Sequence, residues 1–253
     1  DVSSGYVDRY MKIFKKPEAR MMMGAFNNME SIHQHAYSLL LDTVGMPEVE
    51  YKAFADYEAM ADKHEYIDAI KVSKGDKRSI AKALAVYSGF TEGLQLFSSF
   101  IILLNFPRFG KMKGMGQIIT YSIRDESLHV EAMTKLFREF IQENIDIWDD
   151  EFKAEIYQAC REMVTLEDRF LELVFEEGDI EGLTQAEMQE YIRYIADRRL
   201  LQLGLKPNYD IKNNPLNWLD DVLGVEHQNF FEGRATTYMK AGMRGDVNKV
   251  SFV

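Results

Sequence analysis

The sequence predicts an all-α protein, an antiparallel bundle of long helices, and three observations carry that expectation. Apolar residues recur with the 3.6-residue period of a helix, and strand-like alternation is nearly absent. Several periodic segments run for about 25 to 30 residues, well beyond the usual helix length. Short turns join them, which makes sequential helices antiparallel neighbours. A chain of 253 residues with 46% hydrophobic content can bury one large core. With 5 Pro, scattered Gly and no Ser/Gly/Pro-rich stretch, nothing marks a linker, so residues 1–253 are expected to form a single domain.

The elements follow in order. Ser3 or Ser4 caps a short helix running to about Phe14. Pro17 suits the first turn of a long helix that reaches Val44 and stops at Gly45. Pro47 opens another to about Lys71, and Lys74-Gly75-Asp76 forms a turn. An apolar helix from Lys77 to Asn105 is closed by Pro107 and Gly110. Two more are expected over 114–143 and 149–176. Thr184 and Glu187 make a capping box for a helix ending near Leu203, with Gly204 beyond it. After Leu205 the chain reads as loop, apart from a short helix near 216–223.

Composition excludes several functions. A net charge of −11 argues against binding a phosphate backbone, which needs clustered Lys and Arg. The most apolar run, Phe97 to Phe106, falls short of the roughly 20 residues that span a bilayer. No amino-terminal signal pattern is present, and the single cysteine, Cys160, fits a reducing cytoplasm. One cysteine also means that chemistry needing a redox-cycling dithiol must be completed by a partner. Because the chain opens at Asp1 and not at Met, further residues are expected upstream.

The chemistry lies in two Glu-x-x-His motifs, Glu30 with His33 and Glu126 with His129, each well inside a long helix. Positions i and i+3 share a helix face, so each carboxylate and imidazole can ligate neighbouring metal ions, the Glu bridging and the His terminal. Chance supplies roughly 0.5 such matches in a chain of this composition, so one would mean little. Glu92 adds weight. It sits in the apolar stretch Tyr87 to Phe106, on a stripe with Leu96, Ser99, Phe100 and Leu103 that is expected to face inward. An unpaired carboxylate there would cost several kcal/mol, and a metal cation would offset that cost. Gly89 and Gly93 flank it, permitting close helix approach or a local distortion.

Glu30, His33, Glu92, Glu126 and His129 thus supply five of the six protein ligands of a ferritin-like dimetal-carboxylate site, and oxygen and nitrogen donors suit two iron or manganese ions. Asp8 has nothing in its surroundings to recommend it as the sixth. Tyr37 lies on the same face as Glu30 and His33, followed by Leu39, Leu40 and Leu41, which are expected to keep it dry. It is a candidate redox-active phenol, against the plainer reading of an ordinary core tyrosine. Asp125 can hydrogen-bond an imidazole ligand, or be a solvated helix charge. His35 reads as surface, and Met21-Met22-Met23 as core filler.

These residues resemble the radical-generating small (beta) subunit of class I ribonucleotide reductase over nearly the whole chain. The segment Glu30-Ser31-Ile32-His33-Gln34-His35-Ala36-Tyr37 is similar to the family's ligand Glu, ligand His and radical Tyr. Thr91-Glu92-Gly93 resembles its isolated ligand segment, and Arg124-Asp125-Glu126-Ser127-Leu128-His129 its second motif, with an Asp of the radical-transfer chain. Asn214-Pro215-Leu216-Asn217-Trp218 and Asn229-Phe230-Phe231-Glu232 resemble its carboxy-terminal region.

The resemblance implies a homodimer whose oxidising equivalent, held on tyrosine or metal, passes to a separate large (alpha) subunit that reduces ribonucleotides. It puts the remaining metal ligand and a radical-path Trp ahead of Asp1, and a docking tail with a relay Tyr beyond Val253. Beside Tyr37, Leu96 and Ser122 stand where the family often has larger apolar groups, while Phe100 keeps the apolar wall. A stand-alone ferritin-like oxidase or oxygenase is the alternative with the same ligands, and an iron-storage or purely structural bundle the non-enzymatic one.

Overall fold

The computed structural model describes residues 5–45, 57–73, 75–220 and 222. Among the described residues helix is the only regular structure, apart from an isolated bridge between Ile180 and Leu183. The chain divides into two compact units, Asp1–Pro215 and Leu216–Val253. In the second, residues 217–220 and 222 are helical, as expected near Leu216.

In the first unit α1 is a π-helical turn, Gly5–Tyr10, that runs into Met11–Ile13. Its expected capping serines lie outside the described residues. Helix α2 spans Pro17–Val44, with Pro in its first turn and Gly45 at φ 74° as its left-handed stop. Helix α3 spans Glu58–Ala69, shorter than the expected helix; its proposed start at Pro47 lies outside the described residues. Helix α4 spans Lys77–Arg108, and Asp76 caps it, its carboxylate accepting from the Arg78 and Ser79 N–H groups, a contact worth about 1 kcal/mol. Helix α5 spans Lys113–Glu143, α6 Asp150–Val174 and α7 Gln185–Gln202. The Thr184–Glu187 capping box at the start of α7 forms as the sequence predicts.

Helix α4 runs from Lys77 to Arg108 and carries a local distortion of the kind that Gly89 and Gly93 permit. Lys77–Leu84 is α-helical, Ala85–Gln95 is π-helical, and Leu96–Arg108 returns to α geometry with Pro107 inside its last turn. It packs against α5, α6 and α7, and every residue of Ala85–Gln95 is buried. The expected single inward stripe is therefore too narrow a description. Leu96, Ser99 and Leu103 are among the less buried residues of this helix, whereas Glu92 is only 3% exposed. By length and composition α4 could cross a membrane, but 78% of its apolar window is buried inside the unit, as befits a core helix.

The π geometry has a local cause in packing. Gly93 lets α7 approach closely, for a Cβ there would lie 2.6 Å from Arg199 Nε and 3.2 Å from the Ser88 carbonyl. Arg199 Nε donates to the Gly93 carbonyl at 2.7 Å, satisfying a group that a widened helix frees. Two other buried carboxylates are met by the chain itself. Glu167, fully buried, forms an ion pair with Lys63 and accepts from the Ser98 hydroxyl. Asp197 accepts from the backbone N–H groups of Asn208, Tyr209 and Ile211 at 2.7, 2.9 and 3.0 Å, fastening the loop after α7.

Candidate metal centre

Four elements converge on one buried cluster. Helix α2 contributes Glu30 and His33, and α5 contributes Asp125, Glu126 and His129. The π segment of α4 contributes Glu92, and α1 contributes Tyr6. The two Glu-x-x-His motifs face each other because each occupies the buried stripe of its own helix. Ligand atoms of Glu30, Glu126 and His129 all lie within 4.8 Å of one another. His129 Nδ1 is 3.3 Å from both Glu30 Oε1 and Glu126 Oε2. His33 Nδ1 is 3.4 Å from Glu126 Oε1 and 3.8 Å from Glu30 Oε1. The other nitrogen of His33, Nε2, sits 3.2 Å from Asp125 Oδ2.

Glu92 meets the cluster through a residue that the motif pattern did not single out. The buried Tyr6 hydroxyl donates to Glu92 Oε1 at 2.6 Å, and the Tyr6 ring lies edge-on to His129 at 5.9 Å. The one sequence signal was the pair Tyr6 and Tyr10, one turn apart in a short helix; both rings point into the core.

Protonation follows from burial and mutual charge. Burial raises the Glu92 carboxyl well above the usual range, and the nearby Glu126 charge raises it further. Burial alone would raise Glu126 too, but the flanking His129 and His33 hold it below. Burial lowers a histidine, yet Glu126 and Glu30 overcome that and push His129 up to about 10. Without a cation, protons on the two imidazoles and the raised Glu92 carboxyl together limit the negative charge gathered here.

Whether a cation fits can be judged from unsatisfied atoms. Glu30 Oε1, Glu92 Oε2, Glu126 Oε2 and His129 Nδ1 are all buried without an aligned hydrogen-bond partner. Such atoms are costly unless something else meets them. No Lys or Arg ion pair reaches Glu30, Glu92 or Glu126 among the described residues, in contrast to Glu167. Oxygen and nitrogen donors without thiolate suit iron or manganese, so the residues present fit such ions. Asp8 is exposed and pairs with Lys12 at 3.3 Å, away from this cluster.

Tyr37 stands beside the cluster, half-buried, donating its hydroxyl to Ser122 Oγ at 2.8 Å. Burial pushes it up to about 12, so the phenol is protonated at ordinary pH. Ser122 in turn donates to the Ile118 carbonyl at 3.1 Å. The expected dry flank is corrected in part. Leu39 and Leu41 are exposed; two positions apart, they point nearly opposite ways, and the carboxy-terminal end of α2 is exposed on both sides. The methionine run likewise splits, with Met23 in the core and Met21 75% exposed. His35 is on the surface, as expected.

A helical bundle that gathers three carboxylates and two imidazoles at its centre is the arrangement of the ferritin-like dimetal-carboxylate proteins. Comparison with known proteins narrows this class. Residues 1–215 match the model of the family described as ribonucleotide reductase, small chain. The chain is 42% identical to the "probable ribonucleoside-diphosphate reductase small subunit" of Invertebrate iridescent virus 6, covering 99% of this chain and 80% of that protein. It is 30% identical to the ribonucleoside-diphosphate reductase subunit beta of Chlamydia pneumoniae, over 95% of this chain and 72% of the relative. Among solved structures, the ribonucleotide reductase R2 subunit from Clostridium botulinum superposes with a TM-score of 0.79 at 27% identity, covering 87% of this chain and 72% of that one.

The chain belongs to the ribonucleotide reductase small chain family. These relatives are reductase small subunits, so the activity is that of a class I small subunit and not of a stand-alone oxidase.

Proposed function

We propose that Glu30, His33, Glu92, Glu126 and His129 hold two iron or manganese ions, and that this centre generates the oxidising equivalent used by a separate large subunit to reduce ribonucleotides to deoxyribonucleotides. The observation that carries the reading is the set of buried ligand atoms on Glu30, Glu92, Glu126 and His129 that lack any aligned partner. When bound, such ions supply one-electron oxidising power that no amino-acid side chain provides.

The chain's own residues do the rest. Asp125 orients the His33 ring through Nε2, leaving Nδ1 to face Glu126 and Glu30. Tyr37 lies close enough to the cluster to feel the Glu126 and Glu30 charges, and is the phenol proposed to carry the equivalent. Phe26 and the Tyr6 ring cover His129 and exclude water from that side. The single Cys160 is buried, which fits a division of labour in which the partner supplies the dithiol. We further propose a cytoplasmic homodimer. Met21, Ile32 and Leu39 on α2 and Tyr121 and Leu128 on α5 leave an exposed apolar face that a second copy would cover.

The test is metal analysis followed by electron paramagnetic resonance. Protein loaded anaerobically with iron or manganese and then given oxidant should bind two ions per chain and develop a radical signal. Adding the large subunit should then give ribonucleotide reduction. Tyr37→Phe should abolish the tyrosyl signal; a signal unchanged by the substitution removes Tyr37 from the role. Two ions lost in Glu126→Ala support the ligand set, and full retention of metal there would refute it.

A further inference from the structure

We propose that Tyr6 is a positioning residue that fixes how Glu92 presents itself to a metal ion, engaging Oε1 and leaving Oε2 as the oxygen free to bind. The inference rests on the reading of Glu92 as a ligand and adds a residue that no ligand motif includes.

Three observations carry it. The Tyr6 hydroxyl donates to Glu92 Oε1 at 2.6 Å, a short O–H···O hydrogen bond. The second oxygen, Oε2, is buried with no partner at all. The phenol is itself clamped: its ring meets Phe26 edge-on at 5.7 Å and His129 edge-on at 5.9 Å, and it is 2% exposed. A donor held this firmly fixes the rotation of the carboxylate about its Cγ–Cδ bond. One oxygen is turned toward α1, and the other is left with its lone pairs uncommitted. A carboxylate without such a partner is free to swing or to chelate through both oxygens.

Tyr10 provides an internal control. It lies one turn along the same helix and is buried to the same degree, but its hydroxyl donates to the Ala83 carbonyl at 3.2 Å and not to Glu92. Removing either hydroxyl perturbs the packing of α1 alike. Only one of the two removals releases Glu92.

Manganese(II) titration of the metal-free protein tests the proposal. Outer partners of metal ligands typically contribute about 10- to 100-fold in affinity, so Tyr6→Phe should weaken manganese binding by that factor. Tyr10→Phe should leave affinity unchanged. The manganese absorption-edge fine structure of Tyr6→Phe should show an added carboxylate oxygen, as Glu92 becomes free to use both. Wild-type affinity in Tyr6→Phe overturns the proposal, and so does equal weakening in both variants, which would mean helix packing alone. Undiminished affinity in Glu126→Ala would instead sink the metal-centre reading itself, so the two failures are distinguishable. If Tyr6→Phe does not fold, 3-fluorotyrosine installed at position 6 keeps the ring and sharpens the donor. It should alter the bound manganese spectrum, and an unaltered spectrum overturns the proposal.

Discussion

Glu167 and Asp197 are as deeply buried as Glu92 and Glu126, and the contrast between the two pairs shows what burial demands of a carboxylate. Glu167 has the Lys63 cation, although its Oε1 lacks an aligned hydrogen bond, and Asp197 has three backbone donors, so the chain itself offsets each charge. Burial nevertheless raises the Glu167 carboxyl above its ordinary range despite the lysine. Its proton is therefore bound more tightly in the folded state, and the linked stability is present at low pH and lost as pH rises through the folded value. Lys63→Met should thus destabilise by about 3–5 kcal/mol at neutral pH, since it strands a buried charge. The deficit should shrink on acidification, when Glu167 is neutral. Urea unfolding at two pH values measures it, and a deficit that grows in acid would contradict the argument. Cys160 makes a second residue-scale prediction. Burial pushes its thiol up to about 12, so native protein should resist iodoacetamide at pH 8.5, while unfolded chain reacts readily.

At the scale of elements, α4 is where local sequence and packing meet. Its π segment carries Glu92, and the segment persists because Gly93 admits Arg199 and takes its hydrogen bond. Arg199 is buried and cannot swing away cheaply, so a methyl at position 93 must displace backbone or guanidinium. Gly93→Ala should cost about 1–3 kcal/mol, as overpacking does. It should also lower the bound metal stoichiometry, because Glu92 is the preceding residue. A variant with wild-type stability and full metal content would show that the close approach is unimportant. Helix limits were largely legible in the sequence, from Pro17 to the Gly45 stop and at the Thr184 capping box, because caps are local chemistry. The π geometry was legible only as a distortion that Gly89 and Gly93 permit, since the hydrogen bond that supports it comes from a side chain on α7, 106 positions further along the chain.

For the whole molecule, metal binding and assembly give the observable consequences. Ligand that binds only the folded state stabilises it, and manganese at about 100 times its dissociation constant adds about 2.7 kcal/mol, or about 5–10 °C in melting temperature for a chain of this size. Calorimetry with and without metal should show that rise, and Glu126→Ala should lose it. The exposed apolar residues of α2 and α5 give the assembly prediction. Ile32→Glu combined with Leu128→Glu should convert a dimer to monomers in light scattering while leaving helicity intact; a dimer that survives would move the interface elsewhere.

The sequence by itself determined the helical class, the two Glu-x-x-His faces and the isolated Glu92. All of these follow from spacing along a helix and from the cost of a charge in an apolar run. It also placed Tyr37 beside Glu30 and His33, because three positions on one face need no tertiary information. Only the tertiary structure decided that Tyr6 reaches Glu92, that Ser122 takes the Tyr37 hydroxyl, and that Leu39 and Leu41 face outward. Those contacts join residues far apart in the chain, and periodicity fixes the direction of a side chain without naming what it meets there.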